Sequence, residues 1–376
     1  MAQEERPANL GVINPYALVE AKIGKKVNWK SVTEPHKLLE SQLGMPYKKL
    51  FDPANDSPLY PGLKYDSESR KLQRISMKAE QKDTCTLLME KAIWADPGDF
   101  FEEGAEMNDP VQGAVANCYF IAALSSVAWA RPYVIAQRTR ATGTGQQQFV
   151  DMVELFDNKG KASKVEVSEL LPLGTPGNYF LYARSSEAGE IWPAIYEKAF
   201  AKWLTKDTGD RPNICKTAYG DCVGALVTIT GLTPGYYFDT PSISADAIYS
   251  KVRQNCISKK TFNPLVAWTY SSGSASPDKV VYADACLVAN HCYSILGWEY
   301  VNNKKYLIIR NPWGGTEACK DTANITWVAW DQPYYSGPGW WRPVPMANPD
   351  GIFALGVETF KKYFAGFGWV KTPEAP

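Results

Sequence analysis

Two histidines, His36 and His291, are the only imidazoles in a chain of 376 residues. That scarcity excludes a metal site built on several histidines and leaves almost no choice of imidazole base. His36 sits in the polar run Glu34-Pro35-His36-Lys37 and reads as solvated, whereas His291 lies in the apolar stretch Asn290-His291-Cys292-Tyr293-Ser294. Further on, Asn311 opens Asn311-Pro312-Trp313-Gly314, and far upstream Cys118 begins an apolar run after Gln112-Gly113-Ala114-Val115-Ala116-Asn117. A thiol, an imidazole and a carboxamide are the parts of a nucleophile, a base and an orienter for acyl transfer through a thioester. The thiolate is the reactive form of cysteine, and the free N–H groups and dipole of a helix start favour it. Gln112, ahead of that helix, supplies an amide that could join the Cys118 N–H as donors to a tetrahedral oxyanion.

The elements that must position these groups are legible around them. Asn117 reads as a cap, Cys118-Tyr119-Phe120-Ile121-Ala122-Ala123-Leu124 continues apolar to Trp129, and Pro132 closes the run, which predicts a buried helix starting at Cys118. A second helix is predicted over Trp192 to Trp203, with Pro193 in its first turn. Beyond residue 226 the pattern becomes β, with strands expected at Val227–Thr230, Leu265–Trp268, Tyr293–Trp298 and Tyr306–Arg310. Asn302-Asn303 between the last two is a turn signal. A hairpin folded there sets His291 opposite Gly314 and Asn311 opposite Ser294, at one open end of the ribbon. An Asn oxygen bonded to one imidazole nitrogen would fix the tautomer and turn the other nitrogen to a nucleophile. The fold class expected is α+β, a helical first half and a sheet-rich second half meeting at a cleft. The chain divides on this reading into an N-terminal extension (1–85), a first subdomain with the nucleophile helix (86–225) and a second with the hairpin (226–376).

Composition narrows the partners. Hydrophobic residues are 45% and charged residues 21%, the proportions of a globular protein. Lys+Arg and Asp+Glu are both 40, so there is no electrostatic case for nucleic acid or an anionic membrane. No apolar run is long enough to span a bilayer, and the opening residues lack the apolar core of a signal peptide. The eight cysteines form no CxxC pair and no disulfide-dense spacing, so a reduced, cytoplasmic protein is expected. Oligomeric state is not legible. Thirteen tryptophans must mostly serve the core, although Trp327, Trp330, Trp340 and Trp341 could form a peptide-binding wall.

The block from Gln112 to Tyr119, then Asn290-His291-Cys292-Tyr293-Ser294-Ile295, then Arg310-Asn311-Pro312-Trp313-Gly314 resembles the three active-site blocks of the calpain family of papain-like cysteine proteases. Leu170-Leu171-Pro172, the stretch Glu190 to Lys202 and Asp350-Gly351-Ile352-Phe353 extend the resemblance over about residues 100 to 365. It implies a papain-like core of two subdomains, a polypeptide substrate and no organic cofactor. Cys118 would be the nucleophile, His291 the base, Asn311 the orienter and Gln112 an oxyanion donor. Trp313, shielding the His–Asn bond, and Gly113 would border the substrate. Ala116-Asn117, Tyr119 and Asn290 stand where the family usually has Gly-Asp, Trp and Gly. The resemblance also implies two calcium ions. One would be held by Asp109 and Glu190 with the carbonyls of Glu102 and Gly104, the other by Glu317 and Asp350 with the carbonyl of Asn348. Asn324 and Ile352 replace family acids at the second site, which is therefore expected to be weak or absent unless Asp321 compensates. Two alternatives to an endopeptidase remain at this stage: a thioester-based acyl transferase or ligase, and a weakly active relative kept as a scaffold.

Overall fold

A computed structural model describes residues 10–53, 57–60, 63–66, 71–74, 84–135, 139–141, 149–237, 240–331 and 339–372. Among them are helices α1 (Pro15–Ile23), α2 (Pro35–Leu43), α3 (Thr84–Glu90), α4 (Cys118–Ala130), α5 (Trp192–Thr205), α6 (Cys222–Thr230), α7 (Ala245–Gln254) and α8 (Val357–Tyr363). The second half is dominated by one antiparallel sheet. Its order is Thr322–Ala323, Ile352–Gly356, Lys304–Arg310, Cys292–Val301, Lys260–Thr269, Phe364–Lys371 and Thr233–Tyr237, with Cys256–Ile257 also pairing on Lys260–Thr269.

The strand alternation sorts this sheet into two packed faces. Leu265, Ala267, Tyr293, Ile295, Leu307 and Ile309 join a core built with α7, α8 and apolar residues of 12–51 and 59–60. Val266, Trp268 and Cys292 join the core of α4, α5 and α6 instead. Residues 10–53 and 57–60 contribute to this packing, with Val12, Ile13, Leu18, Leu39 and Leu59 fully buried.

Helix α4 is apolar on every side and buried along nearly its whole length, as a central helix must be. Two of its polar side chains bond the sheet. Ser126 Oγ donates to the Leu265 carbonyl at 2.8 Å, and the Trp129 indole donates to the Leu296 carbonyl at 2.7 Å. From the sheet side, Ser294 Oγ donates to the Ala122 carbonyl at 2.7 Å. These bonds fix the start of α4, hence Cys118, against the strand that begins beside His291.

The structure corrects three readings. Val227–Thr230 is the end of α6, not a strand. Asp221 caps that helix through the Val223 N–H, and Gly231 closes it at φ 68°. The caps and packing against α4 override the strand preference of a β-branched run. Asn117 does not cap α4 with its side chain, which donates to Glu197 Oε1 at 2.7 Å and Thr217 Oγ1 at 3.1 Å. Nor are all cysteines reduced. Cys85 is bonded to Cys215 and Cys286 to Cys319, leaving Cys118, Cys222, Cys256 and Cys292 free. Pairs this far apart in sequence leave no spacing signature, so sequence reading had no handle on them.

Candidate active site

The hairpin forms at the expected turn, with Asn302 and Asn303 at φ 51° and 57° and Val301 opposite Lys304. The register holds as far as Gly297 opposite Ile308, and then Leu296 is bulged out, so that Ile295 faces Ile309 and Ser294 faces Arg310. The bulge shifts the expected pairing by one place: continued past the last pair, Asn311 falls opposite Tyr293 instead of Ser294. Residues opposite one another share a face, and Tyr293 and His291 share one too. His291 and Asn311 are thereby turned to the same side.

They meet there. His291 Nε2 lies 2.9 Å from Asn311 Oδ1. Asn311 Oδ1 also accepts the Trp313 backbone N–H at 3.1 Å, which identifies it as the oxygen and makes His291 Nε2 the donor. His291 Nδ1 is then the unprotonated nitrogen, and it is buried without a partner. The Trp313 ring packs 5.0 Å from the imidazole, centroid to centroid, and Tyr293 packs edge-on at 4.9 Å. Trp313 is only 4% exposed.

Cys118 is the first residue of α4, which packs on the strand that begins after His291, and the backbone N–H groups of Cys292 and Val12 favour its thiolate. The nucleophile candidate therefore abuts the strand that carries the base candidate. Gln112 is fully buried beside them. Its backbone N–H donates to the Pro312 carbonyl at 2.9 Å, and its Nε2 donates to the carbonyls of Val12 and Val115 at 2.6 and 2.7 Å. Gly113 is compelled to be glycine, because a Cβ there would lie 2.2 Å from the Tyr182 carbonyl. Burial governs the protonation of the pair. It pushes the Cys118 thiol up to about 12, partly opposed by backbone N–H groups, and drives His291 down to about 3, partly opposed by Asn311. Both groups are uncharged at neutral pH in this arrangement.

Two residues that sequence reasoning did not single out complete the frame. Arg310 is buried, and its guanidinium donates to the Pro110 and Asn108 carbonyls at 2.8 and 2.7 Å, fastening the loop ahead of Gln112 to the strand ahead of Asn311. Glu197 accepts from Asn117 Nδ2 and from the Ala183 N–H at 3.0 Å, tying α5 to the residue before Cys118. Arg310 adjoins Asn311 in the chain and could have been found there, whereas Glu197 lies 80 residues from Asn117 and leaves no local signal. His36 is exposed at the start of α2, against Tyr47. Of the tryptophans, Trp327 is core, while Trp330, Trp340 and Trp341 are partly exposed on a separate two-stranded ribbon.

The acids expected to hold calcium fall into two groups. Asp109 Oδ2 accepts from the Glu106 N–H at 2.6 Å and the Trp192 indole at 3.0 Å, while Asp109 Oδ1 is buried with no partner. Glu190 accepts from Ser185 Oγ at 2.7 Å and from the Glu102 N–H at 3.4 Å. Burial raises both carboxyls, Asp109 to about 8 with Glu190's charge adding to it, and Glu190 to about 7. Two close carboxyls with a spare oxygen and backbone beside them suit a hard cation. In the second group Glu317 Oε1 already accepts the Asp350 and Gly351 N–H groups, each at 3.2 Å, and Asp350 Oδ1 accepts the Ile352 N–H at 3.0 Å. Asp321 is engaged with Lys304 and Thr359. Among the described residues no cluster of three or more His, Cys, Asp or Glu has metal-binding geometry, and no helix is long and apolar enough to cross a membrane.

Curated relatives match this arrangement of chain. A thiol protease of Porphyromonas gingivalis is 28% identical over 269 residues, covering 68% of this chain and 53% of its own. The calpain-2 catalytic subunits of Gallus gallus and Homo sapiens are 25% and 27% identical, over 73% and 60% of this chain but only 38% and 30% of theirs. The chain thus spans about half or less of the length of these relatives. The model of the calpain family of cysteine proteases matches residues 60–367, most of the chain, with Gln112, Cys118, His291 and Asn311 inside the match, and the chain belongs to that family.

Proposed function

We propose that the chain is an endopeptidase that cuts internal peptide bonds through a thioester on Cys118, on a papain-like frame of two subdomains with α4 in one and the His291–Asn311 hairpin in the other. The observation that carries this reading is the 2.9 Å bond from His291 Nε2 to Asn311 Oδ1, which leaves Nδ1 as a free base within a buried site where α4 packs on the strand that follows His291.

Once a peptide lies at the site, His291 Nδ1 takes the thiol proton and the sulfur attacks the carbonyl carbon. The tetrahedral oxyanion is held by the Cys118 N–H and Gln112 Nε2. On collapse the C–N bond breaks, and His291 returns its proton to the leaving amine. Water, deprotonated by the same nitrogen, then cleaves the thioester. Asn311 holds the imidazole in one tautomer throughout, and Trp313 keeps that bond dry.

Calcium fits the first acidic group better than the second. Asp109 and Glu190, with the carbonyls of Glu102 and Gly104, would hold one ion. Arg310 touches the loop that carries Asp109 and adjoins Asn311, so ion binding at that loop would bear on the base through one side chain. Asn324 and Ile352 stand where two further acids would be needed, which argues for a weak second site.

The test is hydrolysis of a denatured protein substrate by wild type and by Cys118→Ala, with calcium and with a chelator. The variant is expected to fold and to lose all turnover. Turnover by Cys118→Ala above the blank refutes the assignment of the nucleophile.

A further inference from the structure

The site is sealed by the chain itself. Cys118, His291 and Gln112 have no exposed surface, and Asn311 is 1% exposed. The cover is the extended segment Leu10 to Asn14, which leads into α1. Leu10 and Gly220 form an antiparallel bridge, bonded N–H to carbonyl in both directions at 3.2 and 3.0 Å. Gly11 N–H donates to the Asn290 carbonyl at 3.2 Å, and the Gly11 carbonyl accepts from Asn290 Nδ2 at 3.1 Å. The Val12 carbonyl takes Gln112 Nε2 at 2.6 Å. Asn14 then ties down the exit, with its N–H on the Gly113 carbonyl at 3.4 Å and its Nδ2 on the Gln112 carbonyl at 2.7 Å.

These are mostly main-chain bonds to an extended strand, the sequence-tolerant way in which a peptide is held. Their partners include the amide assigned to the oxyanion, the backbone beside it and the residue preceding the base. We propose that residues 10–14 are an internal blocking peptide, lying in the groove where a polypeptide substrate would lie and holding the enzyme latent until they are displaced. The proposal rests on the peptidase reading of Cys118.

The segment is bound in a form that resists attack. Gln112 Nε2 is occupied by the Val12 and Val115 carbonyls, and the Gly11 carbonyl is drawn off to Asn290. Neither arrangement leaves an oxyanion site beside the bond following Gly11. The fit is tight at Gly11, where a Cβ would lie 2.4 Å from the Ala116 carbonyl and 2.6 Å from the Tyr219 ring. Val12 and Ile13 are fully buried anchors. An uncharged thiol and imidazole are the state expected of a site from which water is shut out.

Gly11→Val removes the fit without touching the machinery. The rate of Cys118 alkylation by iodoacetamide, read on the Cys118 peptide by mass spectrometry, is expected to rise at least tenfold over wild type. A synthetic peptide spanning Leu10–Tyr16 should slow it again. Leu10→Asp, at the rim of the segment, provides the same readout should Gly11→Val not fold. Equal alkylation rates in folded wild type and variants would overturn the blocking role, whether or not wild type hydrolyses protein. Faster alkylation without hydrolysis of a denatured substrate by the unblocked variants would leave the block standing and overturn the peptidase reading.

Discussion

Reducing the two disulfides should remove most of the protein's stability. Cys85–Cys215 closes a span of 130 residues and Cys286–Cys319 one of 33. With the chain-entropy relation, the first constrains the unfolded chain by about 5 kcal/mol and the second by about 4 kcal/mol. The spans do not overlap, so the effects should add. Their total falls within the whole net stability of an ordinary protein, about 5–15 kcal/mol. The longer link also sits in a buried cluster with Tyr182 and Ile214, so its loss should be felt most. Urea denaturation with and without a phosphine reductant measures the effect. Cys85→Ala/Cys215→Ala and Cys286→Ala/Cys319→Ala separate the two links. Before reduction, the denatured chain should titrate four thiols, and after it eight. Eight thiols before reduction, or an unchanged midpoint after it, would refute the reasoning. The first result would also favour the reducing, cytoplasmic setting expected from the sequence, since such links persist in oxidising compartments.

Other expectations concern chemistry and pH. Asn311→Ala frees the imidazole without removing it, so kcat should fall by roughly one to four powers of ten with little change in KM; wild-type turnover would refute the orienting role. Glu197 is fully buried and raised to about 7, chiefly by desolvation. A folded pKa above the unfolded one favours folding at low pH and loses that contribution as pH rises to about 7, a decline of about 3 kcal/mol that Glu197→Gln should flatten in pH-dependent denaturation. His291, lowered to about 3 by burial, works the other way: stability should fall as pH drops below about 6.5, and His291→Ala should remove that part of the slope. Calorimetric titration of Cys118→Ala with calcium should show one site, lost in Asp109→Asn; two equal sites would contradict the distinction drawn between the acidic groups.

Sequence reading found the chemistry more readily than the frame. Cys118, His291 and Asn311 were legible because few residues can serve as nucleophile, base and orienter, and because a turn at Asn302-Asn303 brings two of them near. The helices at Cys118 and Trp192 followed from local periodicity and proline placement. Val227–Thr230 misled because β-branched residues favour strands, while the deciding groups, Asp221 and Gly231, lie outside the run. The disulfides join residues with no local relation, and the burial of residues 10–14 arises from long-range bonds to Gly220, Asn290 and Gln112. Neither leaves a periodic trace.

The single bulged residue at Leu296 makes the hairpin behave as a reading frame. The ribbon between bulge and turn could be lengthened by matched pairs of residues without disturbing the chemistry at its mouth. Removing one residue from the bulged strand alone would put His291 and Asn311 on opposite sides, with every side chain still present. Length variation in this stretch should therefore come in twos, while substitution is free wherever packing allows. The phase is kept from outside the ribbon, because the carbonyl left unpaired by the bulge is held by the Trp129 indole of α4. The helix that presents the nucleophile thus also fixes the frame in which the base is presented.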